Sequence, residues 1–168
     1  MNHLHKLRDA IGAATRGVAL EDLIRHREGK WSIAEILEHL SLTYSGTSKG
    51  FQRCLAVGKP LATNPNLKHR FITSVVVGMG HMPNGRQTPE PARPKGARAE
   101  QVLAGIGPLL ESMDKLIEEC EERYGSNVRL LDHPILGPLT GPQWRKFHWV
   151  HGRHHIRQIL QLRGHPPV

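Results

Sequence analysis

The chain has 168 residues, enough for one domain with its own core, and the working organisation is a single domain over residues 1–168. Its formal net charge is +8, from 23 Lys and Arg against 15 Asp and Glu. That balance favours anionic partners, but the basic residues are scattered and do not interleave with aromatics, so nucleic acid is disfavoured and an anionic small-molecule substrate ranks behind a merely solvated basic surface. Cys54 and Cys120 are too few for a disulfide framework and form no C-x-x-C, so both are expected as reduced, buried hydrophobes. The opening residues carry charges and histidines where a signal peptide needs an apolar run, and "FITSVVVGMG" is too short for a bilayer. A cytoplasmic location with no membrane partner is expected.

Four helices are predicted in chain order. Leu4, Leu7 and Ile11 keep helical spacing over Asn2 to Ala14. The second helix starts at "KWSIAEI", where Ser32 and Glu35 fit a capping box and Trp31 and Ile36 a hydrophobic staple; it should end near Val57, before Gly58 and Pro60, with Gly46 and Gly50 as weak points. "FITSVVV" fits either a short helix or a strand, and "MPNGRQTPEPARP", from Met82 to Pro94, is too rich in Pro and Gly for regular structure. Helical spacing resumes from Val102 through Cys120 up to Gly125, with Pro108 expected to kink or split that helix. The last helix runs from Gly141 to about Arg163, opened by a second capping box, Thr140 with Gln143, and a Leu139–Trp144 staple. Alternation at period two is nearly absent, so no sheet is expected. The fold class is all-α, a four-helix bundle with a long Pro/Gly-rich loop between helices two and three.

Four histidines crowd "FHWVHGRHHIRQIL". At about 100° per residue, Trp144, Phe147, His148, His151, His155, Gln158, Ile159 and Leu162 share one face, which the staple tryptophan turns inward. His151 and His155 are an i, i+4 pair whose rings can approach a common point, the spacing that a helix offers to a zinc-like ion. The zincin glutamate is missing between them. His39, at the edge of the Ile33, Ile36, Leu37, Leu40, Tyr44 stripe, is a candidate third ligand; a boundary histidine with one wet nitrogen fits the spacing equally, and a hydrogen-bonded polar cluster fits the pair. His154 lies to one side. His3, His5, His26, His69, His81, His133 and His165 are expected on the surface.

"GKWSIAEILEHL" and "HPILGPLTGPQWRKFHWVHGRHHIRQI" together resemble the second and last helices of the DinB/YfiT-like superfamily, and within it the branch that shares an "HP..GPLT...W" lead-in. The resemblance implies an antiparallel four-helix bundle. It also implies a divalent metal, usually zinc or nickel, on His39, His151 and His155. Members of that superfamily include transferases using low-molecular-weight thiols such as bacillithiol or mycothiol, and a thiol-dependent isomerase. A three-histidine ion keeps an open position and acidifies a water or thiol held there. The leading expectation is therefore a metal-dependent enzyme of thiol-transferase or hydrolase type acting on a small molecule. His148 is a candidate acid or base, or an orienting group. Gln158 is a candidate hydrogen-bond partner of a ligating imidazole. The alternative is a non-catalytic metal- or ligand-binding bundle of structural or regulatory role, for which a homodimer is one arrangement.

Overall fold

Both capping boxes form and start the two helices that carry the histidine cluster. Ser32 accepts from Glu35 N while Glu35 accepts from Ser32 N, and Thr140 and Gln143 do the same. In this computed structural model, which describes residues 2–80 and 88–164, the elements are α1 (His3–Thr15), α2 (Leu20–Ile24), α3 (Ile33–Val57), α4 (Leu67–Thr73), α5 (Ala99–Tyr124), β1 (Arg129–His133), β2 (Gly137–Thr140) and α6 (Gly141–Leu162). A π-helical turn, Ser74–Gly78, continues α4, and a 3-10 turn, Glu90–Ala92, precedes α5. The chain is thus mainly helical, and "FITSVVV" is helix and π-turn rather than strand. Part of the Met82 to Pro94 loop, residues 82–87, lies outside the described residues, as do His81 and His165.

The core is the shared floor of the four long helices. Leu4, Leu7 and Ile11 of α1 pack with α6, while Phe51 and Cys54 of α3 pack with Met113, Ile117 and Cys120 of α5. Gly58 closes α3 with a positive φ of 78°, donating its N–H to the Cys54 carbonyl. α5 is not split at Pro108. That residue and Ala104, whose carbonyl it cannot serve, are both exposed, so water can take the missing bond. Both cysteines are free and buried, and burial raises both thiols, that of Cys120 to about 11.

The sequence expectation of no sheet is corrected by an antiparallel β1–β2 hairpin. Alternation is hard to read there because β2 is buried on both sides at Gly137, Pro138 and Leu139, and Pro138, which has no N–H, is tolerated in a two-stranded sheet. The hairpin lies over α3. Leu130 is fully buried, and its carbonyl accepts from Leu61 N and Cys54 Sγ. Leu131 lies over Gly50, where an added Cβ would come within 2.7 Å of its Cδ1.

A partly buried ionic junction links α1, α5 and α6. Arg145 of α6 donates to Asp114 and Glu121 of α5, both at 2.6 Å, and Asn2, which caps α1, donates to Asp114. It fixes the start of α6 against α5 and thereby the rotation of the histidine face.

Candidate metal centre

The Ser32 cap sets the phase of α3 so that His39 falls two turns later on the side facing α6. The structure brings His39, His151 and His155 together. The Nε2 atoms of His39 and His151 lie 3.2 Å apart and those of His151 and His155 3.1 Å apart; the three candidate ligand atoms all lie within 4.8 Å of one another. Rings from two helices thus meet at one point, with His39 and His155 buried and His151 half-buried.

The outer nitrogens fix which atoms face inward. The Ala92 carbonyl can only accept, so His39 Nδ1 donates to it at 2.8 Å and its Nε2 carries a lone pair. His155 Nδ1 donates to Gln158 Oε1 at 2.7 Å, with the same consequence. His151 Nδ1 is buried without a partner among the described residues, and its ring lies parallel to Phe147 at 5.6 Å. Two lone pairs therefore face His151 Nε2, which can give a proton to only one of them. A cation takes all three. For a tetrahedral ion with bonds of about 2.0–2.1 Å, neighbouring nitrogens sit about 3.3–3.4 Å apart, close to both separations from His151 Nε2, and the third lies within 4.8 Å. The residues fit a divalent metal.

Electrostatics agree with neutral imidazoles. Burial, joined by the neighbouring His39, pushes His155 down to about 4. Burial and then the adjacent rings push His151 well below its ordinary value, and burial lowers His39. Neutral imidazole is the ligating form.

Two further groups predicted from sequence take different places. Gln158 contacts His155 through Oε1 and His154 through Nε2, at 3.3 Å. His148 is wholly buried, and its Nε2 donates at 3.1 Å to the Thr47 hydroxyl, which itself donates to the Thr43 carbonyl. Stacked on Trp144 and edge-on to Tyr44, His148 is held to about 3 by burial and then by His133. It is neutral at ordinary pH.

Sequence reasoning missed what holds the site from outside. Glu38, only 5 % exposed, accepts three backbone N–H groups, from Lys95 at 2.8 Å, Gly96 at 3.1 Å and Ala97 at 3.0 Å. This staple brings the 90–97 segment against α3 and delivers the Ala92 carbonyl to His39. Trp31 packs against the same ring, with centroids 5.3 Å apart and planes tilted by 45°. The expectation that His133 is a surface residue is also corrected. Its ring packs between Trp144 and Phe147 and its Nδ1 accepts from Ile135 N and Leu136 N, so burial lowers it to about 4. The His-Pro turn before "GPLT" was the available signal.

Fold and site define a mainly helical protein whose three-histidine cluster could hold a divalent metal ion. The chain belongs to the family described as "Protein of unknown function (DUF1569)", which matches residues 2–161. Searches of the curated proteins and of the solved structures gave no match. Among the described residues no helix is long and apolar enough to cross a membrane.

Proposed function

We propose that this protein is a divalent-metal-dependent enzyme of thiol-transferase or hydrolase type, with zinc or nickel on His39, His151 and His155. The observation that carries the reading is the convergence of three Nε2 atoms at one point, two of them held as lone pairs by Ala92 and Gln158. The resemblance of "GKWSIAEILEHL" and of the last helix to the DinB/YfiT-like superfamily supports it, and family membership is compatible with it. On this reading the four long helices form an antiparallel bundle and the two short ones are insertions.

Bound there, the ion supplies Lewis acidity that lowers the pKa of a water or low-molecular-weight thiol at its open position. The chain does the positioning. Ala92 and Gln158 keep the Nδ1 protons on His39 and His155, Glu38 holds the Ala92 carbonyl in place, and Phe147 and Trp31 keep water from the flanks of the rings. His148, neutral and bonded to Thr47, supports the helix face rather than exchanging protons with substrate. A metal that only staples α3 to α6 is the competing reading; among the described residues, no fourth His, Cys, Asp or Glu joins the group, which favours an open position over a closed structural site.

Cobalt-loaded protein titrated with a small thiol tests the open position. A thiolate-to-cobalt charge-transfer band is expected, followed by turnover of an electrophile by the zinc or nickel form. A cobalt spectrum untouched by thiols and by small anions would contradict the enzyme reading.

A further inference from the structure

A second feature lies on another side of α6. A cavity of about 560 Å³ opens between α4, the π-helical turn, the hairpin and the first turn of α6, a size that suits a small organic ligand. His3, His69, Arg70, Arg129 and Lys146 line it, and among the described residues no Asp or Glu does. None of Arg70, Arg129 and Lys146 meets a carboxylate among the described residues, unlike Arg145 of the same helix as Lys146. Burial first, then Lys6 and the cavity's Lys146, lower the proton affinity of His3. The first turn of α6, the positive end of a 22-residue helix, adds to that potential through Pro142 and Gln143.

The floor is apolar. Val77, Leu136 and Pro138 contribute it, the first of these from the π-turn, a distortion found often at functional sites. None of the three clustered histidines lines the cavity. Lys146 precedes His151 by five residues, which places it about 7.5 Å along the helix axis and about 140° around it.

We propose that this cavity binds a small organic anion, a phosphate monoester or carboxylate carrying an apolar body. Arg70, Arg129 and Lys146 take the charged end, while Val77, Leu136 and Pro138 take the body. Guanidinium forks suit either anion because both offer paired oxygens. The site does not rest on the metal reading.

Isothermal titration of the full chain with phenyl phosphate, benzoate, benzyl alcohol and inorganic phosphate tests it. Saturable one-to-one binding of phenyl phosphate or benzoate is expected, tighter than that of benzyl alcohol or inorganic phosphate, and the stronger of the two identifies the anion. Arg70→Gln with Arg129→Gln, both exposed and so compatible with folding, should weaken it roughly tenfold or more, since charge-assisted bonds are the strong ones. Chelator treatment and His39→Ala should leave it unchanged. The proposal is overturned by no saturable binding of either aromatic anion, by equal binding to the double variant with unaltered thermal unfolding, or by binding that disappears with the metal.

Discussion

Replacing Glu38 by Gln probes the link between the 90–97 segment and the histidine centre. The carboxylate is an acceptor for three peptide N–H groups, at 2.8, 3.1 and 3.0 Å. An amide keeps one oxygen and turns an NH2 group toward donors, so at least one of the three bonds is lost and a donor faces a donor. A hydrogen bond to a charged group contributes about 1.5–3 kcal/mol, and since Lys95, Gly96 and Ala97 are exposed their freed N–H groups can reach water, leaving a net loss of about 2–3 kcal/mol. The Ala92 carbonyl would also loosen from His39. Loss of such an outer partner typically lowers metal affinity about 10–100-fold. Urea unfolding of the metal-free protein reads the first effect, and competition with a chromophoric zinc chelator reads the second. An E38Q variant with the parent's unfolding midpoint and zinc affinity would mean that Glu38 anchors neither the 90–97 segment nor the histidine centre.

Other perturbations separate fold from site. Gly152→Ala would put a Cβ 2.3 Å from Leu7 Cδ1 where α1 meets α6, and should cost about 1–3 kcal/mol by overpacking, seen as a lower unfolding midpoint. Asp114→Ala strips Arg145 of one of its two carboxylates; with this partly buried pair broken, roughly 3 kcal/mol of stability should go, with metal content retained, as chemical denaturation and elemental analysis would report. His148 and His133 sit at about 3 and about 4 in the folded chain against about 6.5 unfolded, so the unfolded state binds more protons below pH 6.5. Their contribution is fully present above pH 6.5 and is lost as pH falls toward those folded values, at up to about 1.4 kcal/mol per pH unit for each group. The metal-free parent should therefore lose stability between pH 6.5 and 4.5 more steeply than His148→Gln; equal slopes would contradict the burial account.

The helix starts were legible because capping boxes are local. Ser32 with Glu35 and Thr140 with Gln143 announce themselves within four residues, and from those starts the phase of His39, His151 and His155 follows. Glu38 was not legible. Helical phase puts it away from the apolar stripe, and only a segment more than fifty residues later in the chain covers it. Gly152 is a similar case, buried outside the histidine stripe because α1 crosses there against Leu7. The hairpin was hidden because its second strand is buried on both sides and shows no alternation. Contacts across long separations decide such positions, and periodicity within one element carries no information about them.

The claim that matters most is that three nitrogens hold a metal ion. Elemental analysis of tag-free protein, beside His39→Ala and a His151→Ala, His155→Ala double variant, tests it most directly. Near-stoichiometric zinc or nickel is expected in the parent and little in either variant, with all three folded by circular dichroism. A parent that stays metal-free after reconstitution with zinc and with nickel, or variants that keep the parent's metal, would contradict the claim.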